Sequence, residues 1–398
     1  MTNMAANFTD SDLMRVRDDT PGLSARVHLD NCGSALMPRA VIEAQQRYFD
    51  LEIQYGGYVA QEQQSEGLAR VYASLASLLG GKTTDYAITS SAVDAWTKTF
   101  YSILMQPGDN IVTAYTEYCA NYVAFLQRAK RDGIEIRVAR AGEDGTLDLA
   151  QLDELVDSRT KVIAVTQVPS SSGQVLPVEE IGKIAKAKDV LYLLDACQAV
   201  GQLPVNFEAI GCDMATGTSR KFLRGPRGIG FLYITEKARR SIDPVVLTNQ
   251  AATWTGDNTY SMREDAGVFE AWERSCVNQM GFGAAIDYFL EQGVEKMTGQ
   301  VRVLSDHLRA GLRDVPGVIP TCQADARAGI ITFNKHGFKP IEIKTALEKQ
   351  GIAVQVAGIF HTRLDLGARG IEDAVRISPH YYNSTNELDR FLTALEAL

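Results

Sequence analysis

From Lys82 onward, short apolar runs alternate with amphipathic stretches, the pattern of a mostly parallel β-sheet covered by helices. Residues 86–89, 110–114, 135–138, 161–165 and 190–194 read as strands, and 93–105, 119–130, 149–156 and 178–187 carry helical spacing. Two further strands, 211–217 and 228–234, flank a loop at 218–227. After about Val246 the alternation fails. Residues 248–265 lack a clean period, carry Gly, Asn, Ser and Thr, and read as a long excursion of the kind that serves function. Long helices at 271–292 and 295–315, with short strands at 329–333, 353–356 and 374–378, then give an α+β pattern. The expected fold class is therefore α/β, a large α/β domain with a mainly parallel sheet plus a smaller α+β domain. The expected division is an N-terminal segment 1–35 packing on the small domain, a large domain 36–264 and a small C-terminal domain 265–398.

Composition narrows the classes. The 398 residues carry 40 Lys+Arg against 49 Asp+Glu, net −9, with 45% apolar residues, which is ordinary globular composition and excludes disordered and fibrous chains. An acidic balance argues against a nucleic-acid partner, which wants a basic face. No apolar run approaches the roughly 18 residues of a membrane span. The start, MTNMAANFTDSDLMRVRDD, lacks a basic end followed by an apolar stretch, so a cytoplasmic protein is expected. The six cysteines show no CxxC, and the five histidines no metal-binding spacing, so reduced thiols and no metal site are expected.

Three stretches concentrate chemistry. Thr218-Ser219-Arg220-Lys221-Phe222-Leu223-Arg224-Gly225-Pro226-Arg227 packs cations after a strand in an acidic chain, which suits an anion or else a solvated basic loop. Asp195-Ala196-Cys197-Gln198 follows a fully apolar strand, where an open α/β sheet faces its ligand crevice; a helix N-cap is the other reading of Asp195. Thr89-Ser90-Ser91-Ala92 joins a strand to a helix, where backbone N–H groups favour a phosphate or where Ser91 simply caps the helix.

In that order, these residues resemble the class V aminotransferase group of fold-type I pyridoxal-phosphate enzymes, which includes the cysteine desulfurases. His28-Leu29-Asp30-Asn31 looks like the family's opening strand, Asp195-xx-Gln198 like its cofactor pair, and Thr218-Ser219-Arg220-Lys221 like its Ser-x-His-Lys motif. The resemblance implies pyridoxal 5′-phosphate as cofactor and Lys221 as its Schiff-base lysine. It also implies Asp195 on the ring nitrogen, Gln198 on the phenolate oxygen, and Ser91, Ala92, Thr218 and Arg220 around the phosphate. Tyr118 stands where the family has a ring-stacking histidine, in Glu117-Tyr118-Cys119-Ala120-Asn121, and Arg220 stands where it has the histidine before the lysine. Ser170 to Ser172 replace an asparagine-containing stretch, and Phe269 to Ser275 depart from the family's FEAGTPN segment.

Arg376 matches the family arginine that grips an α-carboxylate, which implies an L-amino acid substrate; Asn31, Tyr58 and His361 are the further expected substrate contacts. Desulfurases carry a nucleophilic cysteine shortly before that arginine, and residues 355–365 contain none. The nearer likeness is to the hercynylcysteine sulfoxide lyase and isopenicillin N epimerase-like subgroup, through Tyr55-Gly56-Gly57-Tyr58, Arg363-Leu364-Asp365 and His380-Tyr381-Tyr382-Asn383. The expected reaction is β-elimination from an S-substituted cysteine or its sulfoxide, giving pyruvate and ammonia, with Lys221 removing the Cα proton and Tyr55, Tyr58 or His361 protonating the leaving group. Epimerase, aminotransferase and desulfurase-like activities remain alternatives, as does a cofactor-free binding protein. A homodimer with sites at the subunit boundary is also expected.

Overall fold

The computed structural model describes residues 8–323 and 326–398. Strand β1 (Val27–His28) precedes the large sheet, which comprises β2 (Tyr86–Thr89), β3 (Asn110–Ala114), β4 (Glu135–Ala139), β5 (Thr160–Thr166), β6 (Leu191–Asp195), β7 (Met214–Thr218) and β8 (Gly230–Ile234). Its order is β2-β8-β7-β6-β5-β3-β4. Neighbours run parallel except at β8, which is antiparallel to both β2 and β7. The central strands read as nearly continuous apolar runs because both faces are covered. Along β5, Ile163 and Val165 pack with Leu152, Ile181 and Ala185 on one face. Val162 and Ala164 pack with Ala95, Trp96, Phe100 and Phe125 on the other. The strands and helices of this half lie within a few residues of the expected bounds.

The chain then forms β9 (Ala252–Gly256) and β10 (Thr259–Met262), an antiparallel hairpin. This corrects the expected irregular excursion at 248–265. Most of the hairpin is exposed on both faces, with Trp254 79% exposed, so no inward–outward alternation marks it in the sequence. The helix expected from 271 starts instead at Cys276, where Ser275 accepts a bond from Asn278 N and caps it. In the C-terminal part, β11 (Val318–Pro320), β12 (Ile331–Lys335), β14 (Gln355–Gly358) and β15 (Asp373–Ile377) form a sheet in the order β11-β12-β15-β14, while β13 (Ile352–Ala353) pairs in parallel with β1. Val27 and Leu29 share the core of this half with Leu304, Leu308, Phe333, Ile377 and Phe391. Among the described residues, no helix is long and apolar enough to cross a membrane.

The cationic loop divides in two. Arg220 and Lys221 line a cavity, but Arg224 turns away from it and is 1% exposed. Its backbone lies in the left-handed region at φ 61. Its guanidinium donates to Leu36 O, the Thr20 hydroxyl and the Tyr381 hydroxyl, and sits over the rings of Tyr288, Tyr381 and Tyr382. The reading of all four cations as an anion site is thereby corrected: Arg224 is a clamp joining the N-terminal segment, the lysine loop and the turn after β15. Arg224→Ala strands those buried acceptors, and the expected cost is about 3 kcal/mol, read as a lower denaturant midpoint.

Candidate active site

The carboxyl ends of β5, β6 and β7 carry Thr166, Asp195 and Thr218, each the last residue of its strand; Asp195 lies between Thr166 and Thr216, with Thr218 two residues further along. Ligands of open α/β sheets bind at this edge. Because β8 runs the other way, its start, Gly228 to Gly230, arrives at the same edge. Here it meets the N-terminus of the helix Ala92–Ser102. These ends border a partly open cavity. It is lined by Ser91, Ala92, Tyr118, Asp195, Gln198, Thr218, Arg220 and Lys221, together with Trp96, Asn121, Cys197 and Ser170. The eight residues expected to hold a cofactor thus meet at one place.

Each wall has a physical reason for its shape. Ser91 accepts from Asp94 N and caps the helix, and the cap leaves other backbone N–H groups of the first turn at the cavity edge. Gly230 must be glycine, since a Cβ there would lie 2.5 Å from Ala92 N and 2.6 Å from Ser91 C. Asp195 accepts from Cys197 N at 2.9 Å and from Asn121 Nδ2 at 3.0 Å, which fixes a buried carboxylate beneath the cavity. Gln198 donates to Cys32 O, and its Oε1 is buried with no partner. Arg220 donates to Gly33 O. Among the described residues, Lys221 Nζ makes no hydrogen bond or ion pair; burial, aided by Arg220, pushes its pKa below that of an ordinary amine. Tyr118 is half-buried, its phenol pushed up to about 12 chiefly by burial.

Arg376 lies beside this cavity. Its Nη1 donates to Ser170 O at 3.3 Å and its Nη2 reaches Asp30 Oδ1 at 3.4 Å, while Nε is buried without a partner. A buried guanidinium so loosely used retains capacity for a carboxylate.

Three expected substrate contacts, like Arg376 itself, are not part of the lining of this cavity in the single chain. Tyr58 is 76% exposed on the helix Gly57–Gln63 and does not line the cavity. Asn31 is buried, but its amide is spent on Ser378 O and the Tyr382 hydroxyl, so it ties the N-terminal segment to the turn after β15. His361 also lies outside the lining; its Nδ1 pairs with Gly358 and its ring lies against Phe360. Sequence reasoning missed Asn121 and Glu117 as a pair. Their i, i+4 spacing was visible, but the partners that define their role come from other strands.

An α/β fold with a capped strand-to-helix turn, a half-buried lysine and a buried aspartate at the same sheet edge is the scaffold of a fold-type I pyridoxal-phosphate enzyme. The sequence profile of the Aminotransferase class-V family matches residues 27–391, and the chain belongs to that family. It is 30% identical over 401 residues to a cysteine desulfurase of Serratia proteamaculans (strain 568), covering 96% of this chain and 97% of the relative. Among solved structures it resembles the apo form of a cysteine desulfurase from Thermococcus onnurineus NA1, with TM-score 0.90, 26% identity and 99% of each chain covered. It also shares its fold with the cystine C-S lyase C-DES in complex with its reaction product cysteine persulfide. There the TM-score is 0.85 and the identity 22%, with 95% of this chain and 99% of that one covered.

Proposed function

We propose that the chain is a pyridoxal 5′-phosphate enzyme that cleaves a C–S bond of an L-amino acid by β-elimination, using water to give pyruvate and ammonia, releasing the sulfur substituent as a free thiol (a sulfenic acid from a sulfoxide) and placing no sulfur on a cysteine of its own. The residues fit the cofactor: a half-buried lysine with no hydrogen-bond or ion-pair partner among the described residues, a buried carboxylate at a strand end, an orphaned Gln198 Oε1 in the lining, and a backbone cradle at Ala92 closed by Gly230. Lys221 would hold it covalently, Asp195 would face its ring nitrogen, Tyr118 would stack on the ring, and Ser91, Ala92, Thr218 and Arg220 would surround its phosphate. When bound, it supplies a carbonyl for amines and an electron-withdrawing ring that acidifies Cα.

The chain's own residues do the rest. Arg376 binds the substrate carboxylate and so fixes the orientation of Cα. Lys221, an amine of lowered pKa, is suited to take the Cα proton near neutrality. Enlarging Gly230 tests the phosphate cradle. Gly230→Ala forces backbone apart at Ala92, and overpacking of this kind costs about 1–3 kcal/mol. Cofactor affinity is expected to fall about tenfold or more, measured by titrating the visible band.

The position of the thiols carries the lyase reading. Residues 355–365 contain no cysteine, and burial pushes up the thiols of Cys32, Cys119, Cys197 and Cys322, leaving little thiolate to accept sulfur. A cysteine desulfurase is the second reading, favoured by the descriptions of the relatives and by Cys197 in the cavity lining. A panel of L-cysteine, L-cystine, S-alkyl cysteines and their sulfoxides tests the proposal. Pyruvate from an S-substituted substrate is expected; a product keeping its amino group, whether epimer or alanine, would select another class V reaction.

The likeness to a sulfoxide lyase or epimerase-like subgroup remains part of this reading, as does a homodimer. Exposed Trp254 and Tyr260 on the hairpin, with Tyr58 and Ile53 on the helices near Gly56, support a second copy covering them. A fully active monomer in sedimentation would overturn the dimer.

A further inference from the structure

Beneath Asp195 lies a second carboxyl that the reaction above does not use. Glu117 is 4% exposed, in the segment between β3 and the helix Cys119–Asp132. Its Oε1 accepts from Asn121 Nδ2 at 2.8 Å, from Tyr118 N at 2.9 Å and from the Thr166 hydroxyl at 2.5 Å; its Oε2 meets the Thr113 hydroxyl at 3.2 Å. The same Asn121 Nδ2 donates to Asp195 Oδ2 at 3.0 Å. Both hydrogens of one amide nitrogen are therefore committed, one to each carboxyl.

We propose that Glu117 is a positioning residue whose own gain or loss of a proton, felt at Asp195 through the shared Asn121 amide, sets how firmly the site holds a protonated ring nitrogen. This rests on the cofactor reading above. The geometry accommodates both charge states, because a threonine hydroxyl can donate to a carboxylate or accept from a carboxylic acid, and Glu117 touches one on β3 and one on β5. Of the titratable groups on the elements packed against it, Asp195 on β6 opposes its ionisation, while Tyr118 in its own segment contributes a backbone N–H. Burial, the largest effect, raises its pKa to about 7. Ionised Glu117 adds negative charge near Asp195 and favours the protonated ring; neutral Glu117 withdraws it.

Two readouts test this. In apo-protein, a carboxylic-acid infrared band should fade between about pH 6 and about pH 8 and be missing in Glu117→Gln. In holoenzyme, cofactor affinity from the visible band should rise about tenfold more over that range in wild type than in Glu117→Gln. Thr166→Val removes a donor to the carboxylate and should move both transitions to higher pH, which keeps the test decisive if the glutamine variant does not fold. An infrared band unchanged by either substitution, or wild-type pH dependence in both variants, overturns the proposal. A protein with no visible band at all overturns the cofactor reading instead and leaves the infrared result standing.

Discussion

Lys221→Ala should abolish the visible cofactor band and the borohydride-reducible adduct, and lower turnover by about four orders of magnitude, the upper range for a positioned acid–base group. The size follows from the two roles proposed for one side chain, covalent attachment of the cofactor and removal of the Cα proton. Among the described residues, no other lysine lines the cavity. Mass spectrometry of the reduced wild-type protein should place the adduct on Lys221, and an adduct on another lysine would show the assignment to be wrong.

The second large effect belongs to the substrate. Arg376→Gln should raise KM for the amino acid about a hundredfold, equivalent to about 3 kcal/mol for a truncated buried charge pair. The cofactor spectrum should stay near wild type, because Arg376 contacts Ser170 and Asp30 and lies outside the cavity lining. A KM left within twofold, with kcat reduced instead, would mean that Arg376 serves the fold and does not grip a carboxylate.

Much of this arrangement was legible in the chain because the chemistry sits where strands end. Asp195 closes a buried strand whose apolar run announces the polar residue that follows. Ser91 is visible for the same reason at a strand-to-helix turn. Long-range geometry was not legible. Arg224 reads like its neighbours Arg220 and Lys221 until the tyrosines of a distant turn are seen around it. Glu117 and Asn121 have helical spacing in sequence, but the partners they bond, Asp195 for Asn121 and Thr113 and Thr166 for Glu117, come from three separate strands. The hairpin at β9 and β10 escaped detection because exposure on both faces removes the alternation that reveals a half-buried strand. Tyr58 and His361 were placed at the substrate by resemblance, and the single chain keeps both out of the cavity lining.

The fate of sulfur tests the lyase reading most directly. The active enzyme is given an S-substituted cysteine and, separately, L-cysteine, and the products and the protein's own mass are followed together in wild type and in a Cys119→Ala, Cys197→Ala double variant. The expected result is pyruvate as the amino-acid-derived product, no added sulfur on the protein, and most of the activity kept by the double variant. Alanine appearing in step with a protein persulfide, and both vanishing in that variant, would make the enzyme a desulfurase with a relocated nucleophile.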